Sequence, residues 1–255
     1  MEFKDVVTDS AQFRELMGEP PPPCVAKTIA VADRHCRAFI ARSPFVLIAS
    51  SNARGQADIS PKGDAPGFVR VLDDTTLAIP DRPGNRRADT FTNVLENPKV
   101  GLLFFVPGKS ETLRVSGSAR IVRDADLRES MAAHGRTPDF VLAVRIEEAF
   151  FHCSKCIIRS SLWKPEAWPS LDGLPSLAQT MVDAAALPMP VEALEDIIKQ
   201  DEAGRSRTTL LVAEVHIPLS PIPHAARRTG RSVSRGAPAA TPPSGPPPPA
   251  AGSRP

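Results

Sequence analysis

The stretch Ser60-Pro61-Lys62-Gly63-Asp64-Ala65-Pro66-Gly67-Phe68-Val69-Arg70-Val71-Leu72-Asp73-Asp74-Thr75-Thr76-Leu77-Ala78-Ile79-Pro80-Asp81-Arg82-Pro83-Gly84-Asn85-Arg86-Arg87-Ala88-Asp89-Thr90 decides how this chain folds. It has three parts. Ser60 to Asp64 reads as a polar turn at the end of a strand. Phe68 to Pro80 reads as a hairpin, with apolar residues on either side of a turn at Asp73-Asp74. Arg82 to Arg87, with Pro83, Gly84 and Asn85 between, leads into a helix spanning residues 86–97. A helix N-terminus offers free N–H groups and a partial positive charge, and arginine adds forked donors matched to phosphate oxygens. Two readings of this loop stay open at the level of residues: an anion cradle, or a solvated basic loop capping an ordinary helix.

Outward from this stretch the pattern is one of short strands. Phe45 to Ser51 is nearly all apolar, as in a strand buried on both faces. Asn52 to Gly55 turns the chain, and Ala57 to Ser60 pairs back. Gly67 to Leu72 and Thr75 to Pro80 are the arms of the hairpin. Phe91, Val94 and Leu95 form the inward side of the helix that follows, which Asn97-Pro98 ends. Val100 to Val106 is a further strand. Thr112 to Val122 alternates, with Leu113, Val115 and Ile121 on one face and Arg114, Ser116 and Arg120 on the other. A short helix from Asp124 to His134 directs Leu127 and Met131 inward, and Phe140 to Phe151 is the last strand. This spacing predicts a closed or partly closed barrel, mainly β with flanking helices, rather than a dinucleotide-binding sheet. Neither G-x-G-x-x-G nor a Walker motif occurs.

The flanks are helical. Thr8 to Met17 places Phe13, Leu16 and Met17 on an apolar side. Four consecutive prolines, Pro20 to Pro23, interrupt the chain, and a second helix is expected from Val25 to Ala41, with Val25, Ile29, Ala32, Cys36, Phe39 and Ile40 at helical spacing. Beyond Cys153 come Ile157 to Trp163 and two helices, Leu174 to Ala186 and Val191 to Gln200. From about Gly204 the composition turns to Pro, Ala, Arg, Ser and Gly, too polar and proline-rich to offset its ordering entropy. The division expected is a folded domain over residues 1–203 and a disordered tail over 204–255, with Leu210 to Ile217 as the stretch in it able to form a strand.

With 31 basic and 29 acidic residues the chain is close to neutral, so its charge does not argue for nucleic acid, and the tail arginines read as solvated. No apolar run reaches transmembrane length and the N-terminus has no signal-peptide core, which predicts a soluble cytoplasmic protein with no membrane partner. Cys153-Ser154-Lys155-Cys156 is a CxxC, but Cys24 and Cys36 lack the spacing of a second half. The four thiols are expected to be reduced packing residues, and no metal site is expected.

Five segments in order resemble the pyridoxamine 5'-phosphate oxidase-like, FMN-binding split-barrel family, and more closely a bacterial branch of it assigned only as FMN-dependent enzymes. They are Asp58-Ile59-Ser60-Pro61-Lys62-Gly63-Asp64, Leu77 through Arg87, Asn97-Pro98-Lys99-Val100-Gly101-Leu102-Leu103-Phe104, Thr112-Leu113-Arg114-Val115-Ser116-Gly117-Ser118-Ala119, and His152-Cys153-Ser154-Lys155. The resemblance runs from about Phe13 to Gln200. It implies a split β-barrel, a homodimer, and FMN in clefts at the dimer interface. By position, Arg86 and Arg87 match the basic pair on the flavin phosphate, with Asn85 assisting. Ser60, Pro61 and Lys62 match the strand end along the flavin, and Ile79 and Pro80 the strand opposite. Thr112 matches a polar residue that reaches the flavin from the other subunit. The tryptophan- and arginine-bearing end of the vitamin B6 oxidases has no counterpart here.

The function this implies is an FMN-dependent oxidoreductase acting on a small organic substrate. Lys62 is the candidate to stabilise the reduced ring. His134 and His152 are imidazoles with structural roles, and no catalytic acid or base is named. The rival is a flavin- or haem-binding carrier or sensor on the same fold.

Overall fold

The computed structural model describes residues 1–203. Expectations that fall on 204–255, including the Leu210 to Ile217 strand and the tail arginines, lie outside the described residues. Seven strands form one antiparallel sheet: β1 (Phe45–Ser51), β2 (Ala57–Gly63), β3 (Arg70–Val71), β4 (Thr76–Pro80), β5 (Lys99–Phe105), β6 (Thr112–Val122) and β7 (Val141–His152). Their order is β2-β1-β5-β6-β7-β4-β3, so β2 and β3 are edges and the sheet is not closed. The helices are α1 (Ser10–Met17), α2 (Pro22–Ala26), α3 (Arg34–Ile40), α4 (Asp89–Glu96), α5 (Ala125–Ser130), α6 (Lys155–Arg159), α7 (Leu177–Ala185) and α8 (Val191–Ala203).

The sheet curls strongly. β2 and β4 are five strand spacings apart in the sheet, about 24 Å if it were flat. Yet Asp64, just past β2, accepts a 2.5 Å hydrogen bond from Arg82 Nε, just past β4. Only a sheet bent toward a barrel allows that contact. Its concave face carries the core. Val46 and Ile48 of β1, Leu102 and Phe104 of β5, Leu113 and Val115 of β6 and Val144 of β7 are all buried there. Each large side chain removed from water stabilises the fold by roughly 1.5–3 kcal/mol.

One irregularity sets the curvature. Between Ser116 and Gly117 the β6–β7 register shifts by a residue. A Cβ on Gly117 would stand 2.0 Å from the Arg145 carbonyl oxygen, so the two backbones approach closely only because residue 117 has no side chain. Gly67, at φ 82°, closes the turn after β2.

Several expected boundaries shift. The helix expected over Val25 to Ala41 is two helices, because Ile29 leaves the helical path to bridge Ala149 of β7 with both backbone hydrogen bonds. Asp33 then starts α3 afresh, its carboxylate accepting from the N–H groups of His35 and Cys36. Pro22 and Pro23 open α2 rather than preceding it, since a first helical turn needs no N–H from them. The α1 residues Phe13, Leu16 and Met17, expected on an apolar side of their helix, are exposed, as are Val25 and Leu95. α4 does pack beneath β1, where Asn93 Nδ2 donates to Ser50 Oγ at 3.0 Å, and it buries Thr90, Asn93 and Val94. β2 continues through Gly63, so Pro61 to Gly63 is strand rather than turn, tolerated because β2 is an edge. β3 is limited to two residues of the expected Gly67 to Leu72 arm. α5 ends at Ser130, and Met131 still packs against Ala78 and Val141.

Candidate functional site

Alternation along β2 sorts its three candidate residues. Ser60 and Lys62 share a half-buried face with Asp58, while Pro61 is exposed on the opposite face beside Ile59. The face with Ser60 and Lys62 looks toward the segment that links β4 to α4. Thr90 Oγ1 of α4 donates to Asp58 Oδ2 at 3.4 Å. At the other end of the same face, Lys62 lies close enough to Asp81 to act on its ionisation. Burial raises the Asp81 carboxyl above its ordinary value, and the positive charges of Lys62 and Arg82 oppose that rise.

Ile79 and Pro80 occupy the end of β4, and both side chains are buried. On one side they pair with Leu142 and Val141 of β7. On the other side β3 reaches only Ala78, so its ladder stops short of both residues. What these two positions offer a ligand is backbone at a strand edge, not side chains.

The linking segment then turns twice. Asn85 Oδ1 accepts from the Arg87 N–H at 3.1 Å, a side-chain turn. Arg86 and Ala88 both take positive φ, 58° and 56°, so helix α4 begins at Asp89 and not at Arg86. Arg86 and Arg87 therefore stand just ahead of the helix rather than in its first turn, and both are exposed. Arg87 Nε donates to Asp89 Oδ2 at 2.8 Å, whereas Arg86 makes no ion pair among the described residues. No side chain caps the N-terminus of α4. A free guanidinium, an arginine tied only by a solvent-exposed ion pair and uncapped helix N–H groups fit a phosphate dianion.

Behind this group lies a clamp that the residue pattern did not reveal. Asp64, its side chain 7% exposed, accepts from Arg82 at 2.5 Å and from the Ala65 N–H at 2.7 Å, and lies 3.2 Å from His134 Nε2. Burial opposes its ionisation, but these hydrogen bonds prevail and hold its carboxyl below the usual carboxylate range. Arg82 Nη1 also donates to the Met131 carbonyl. Asp64, Arg82, Arg70 and Met131 to Ala133 line a cavity of about 170 Å³. A second cavity, about 460 Å³, lies between α3 and β3. The phosphate candidates Asn85 to Arg87 line neither cavity and are exposed. Asp64 and Arg82 are polar residues just beyond strand ends in the sequence, but only the curl of the sheet makes them partners.

Thr112 is not brought to this group. The register runs from Gly63 of β2 to Phe45 of β1 and Phe105 of β5, and then reaches the Thr112 row of β6. That is three strand spacings, about 14 Å. Thr112 also lies on the convex face, opposite in orientation to Ser60 and Lys62. His152 stands directly across from it on β7.

The cysteines divide. Cys36 packs in the core, where burial together with the Asp33 carboxylate pushes its thiol up to about 12. Cys24, Cys153 and Cys156 are exposed, which corrects the expectation of packing thiols at those positions. Among the described residues no three His, Cys, Asp or Glu side chains are grouped to hold a metal ion, and no helix is long and apolar enough to cross a membrane.

The model of the pyridoxamine 5'-phosphate oxidase family matches residues 32–153. Comparison with curated proteins finds no match. Among solved structures, HupZ from Group A Streptococcus is 24% identical, with 46% of this chain and 91% of that chain covered and a TM-score of 0.39. A candidate pyridoxamine 5'-phosphate oxidase from Lactobacillus delbrueckii is 23% identical, over 48% of this chain and 99% of that chain, at a TM-score of 0.37. An FMN-binding protein from Syntrophomonas wolfei is 17% identical, over 56% of this chain and 93% of that chain, also at 0.37. All seven strands fall inside the segment, residues 32–153, that matches the model of the pyridoxamine 5'-phosphate oxidase family.

Proposed function

We propose that the protein is an FMN-dependent oxidoreductase that works as a homodimer on a small organic substrate. One observation carries the reading. The curl that joins Asp64 to Arg82 turns the Ser60–Lys62 face of β2 toward the β4–α4 segment, where Arg86, Arg87 and the uncapped start of α4 offer cationic groups and free N–H donors to a phosphate. In this reading the Arg86 and Arg87 guanidiniums and the α4 N–H groups hold the FMN phosphate, and Asn85 fixes the turn that presents them. The Arg87–Asp89 pair is solvent-exposed and weak, so a dianion competes for Arg87 at little cost. Ser60 and Lys62 border the ring from β2, and the backbone of Ile79 and Pro80 borders it from β4. Bound FMN supplies hydride chemistry, while the chain supplies position and charge. Lys62 places a positive charge where a reduced, anionic ring benefits from it.

The second subunit enters for a physical reason. Thr112, itself buried within one chain, lies on the convex face with Phe45, Leu47, Leu103 and Phe105, which are at least partly exposed. A sheet face of this apolar character is suited to covering by a second copy, which would deliver Thr112 to its partner's groove. The test is to load the purified full chain with FMN and add a nicotinamide donor anaerobically. Bleaching of the flavin bands supports the oxidoreductase. Bound flavin that no donor reduces assigns the protein to carriers or sensors instead.

A further inference from the structure

On the convex face, next to Thr112, four side chains form a cluster that the FMN reading does not use. Arg114 of β6 stands across from Phe150 of β7, and Thr112 across from His152. The Arg114 guanidinium lies 5.4 Å from the centre of the Phe150 ring. On the other side of β7, the Ile29–Ala149 bridge ties down the chain beyond α2. This places the Lys27 ammonium 5.5 Å from the same ring, with one hydrogen bond of 2.6 Å to the Phe151 carbonyl. The His152 ring lies 4.9 Å from the Phe150 ring.

Two cations thus flank one aromatic ring, and neither forms an ion pair among the described residues. Lys27 keeps two ammonium donors beyond its bond to Phe151, and Arg114 keeps its fork. Burial, then the charges of Arg114 and Lys27, disfavour protonation of His152, which is neutral at physiological pH with an N–H to donate. Glu148, exposed and opposite Ser116, lies one step beyond the cluster on the same face of β7, and the bulged Glu147 next to it is held by Lys99 and Ser118. Covering this face with a second subunit would take the two cations out of water, which is unfavourable for an unpaired charge unless an anion meets it.

We infer that Lys27, Arg114 and His152 form a receptor for the carboxylate or phosphate group of an organic substrate, presented by each subunit to its partner's flavin groove. The inference rests on the proposed FMN reading, because it is the Thr112 row that carries the cluster to that groove. Substrate would then be held by one subunit and flavin by the other.

The experiment is calorimetric titration of the full chain, flavin-free and FMN-loaded, with benzoate and with inorganic phosphate, using neutral benzamide as the control. Arg114→Ala and Lys27→Ala are each expected to weaken benzoate or phosphate binding about ten- to a hundredfold, the loss of one hydrogen bond to a charged partner, with benzamide unaffected. Arg114→Lys should recover part of the loss. FMN and riboflavin are titrated into the same variants to separate the two sources of anion. Selective loss of FMN over riboflavin, with benzoate and phosphate unchanged, would mean that the cluster holds the flavin phosphate, and would overturn the substrate assignment. Equal binding of both anions by wild type and both alanine variants would overturn the receptor. Because the anion titrations are run on flavin-free protein too, failure of the FMN reading shows separately, as absence of flavin uptake by the wild type.

Discussion

Removal of Arg86 tests the phosphate grip in a way that the geometry makes asymmetric. Arg86 stands ahead of α4 with no ion pair among the described residues, whereas Arg87 is bonded to Asp89 at 2.8 Å. A hydrogen bond to a charged partner is worth roughly 1.5–3 kcal/mol, so Arg86→Ala should weaken FMN about ten- to a hundredfold. Arg87→Ala should cost less, because phosphate must first displace Asp89 from that guanidinium and the gain is net of the exposed pair it breaks. Asp89→Asn should act in the opposite direction. It frees Arg87 and removes a negative charge from beside the phosphate, and FMN should tighten by about two- to fivefold, the scale of an exposed charge pair. Fluorescence quenching of FMN and of riboflavin, titrated into each variant at fixed ionic strength, separates these effects. Riboflavin lacks the phosphate and should change little in all three. If riboflavin and FMN lose affinity equally on Arg86→Ala, or if Asp89→Asn weakens FMN, the arginines do not hold the phosphate.

Four further outcomes follow from the fold. Arg82→Leu leaves the buried Asp64 carboxylate without its partner and should cost about 3 kcal/mol in urea denaturation at neutral pH. Because the folded-state pKa of Asp64 is lowered, this contribution is complete above its unfolded pKa and is lost as pH falls through the folded value, so wild type and Arg82→Leu should converge below about pH 4. Gly117→Ala, whose Cβ would meet the Arg145 carbonyl, should cost about 3 kcal/mol or prevent folding, while Gly101→Ala, which meets only the Ala49 Cβ at 3.8 Å, should change stability by less than about 1 kcal/mol. Leu103→Asp on the convex face should give a monomer by light scattering with weakened FMN binding; a dimer with unchanged FMN affinity would contradict the assigned interface. Deletion of residues 204–255 should leave FMN binding intact, since every assigned site residue lies before them; loss of binding would show that the tail takes part.

The strands were legible because their signal is local. Thr112 to Val122 alternates in sequence and is β6 to the residue, and Val100 to Val106 differs from β5 by one position at each end. Helix starts were harder. Arg86 and Arg87 looked like a first helical turn, but two residues in the left-handed region, one of them Ala88, delay α4 to Asp89. Nothing in the residue types demands that conformation, since alanine and arginine ordinarily avoid it. The break within Val25 to Ala41 did carry a signal, Asp33 as an N-cap, which apolar spacing on both sides concealed. Ile29 contributed to that spacing while in fact bridging β7. At the site, the local pieces were visible as a basic turn and a polar strand end. Their meeting was not, because it depends on a curl that brings the ends of β2 and β4 together across four intervening strands. The same limit hid the Lys27–Arg114–Phe150–His152 cluster, whose members lie on three separate segments.

The central claim is that the groove formed by β2, β4 and the start of α4 takes FMN, and the visible absorption spectrum of the purified full-length protein tests it most directly. The account predicts flavin bands, a cofactor that is released on denaturation and identified as FMN rather than FAD, and a stoichiometry of one per chain. A colourless protein that takes up no FMN on titration, or one whose spectrum is that of bound haem, would contradict it.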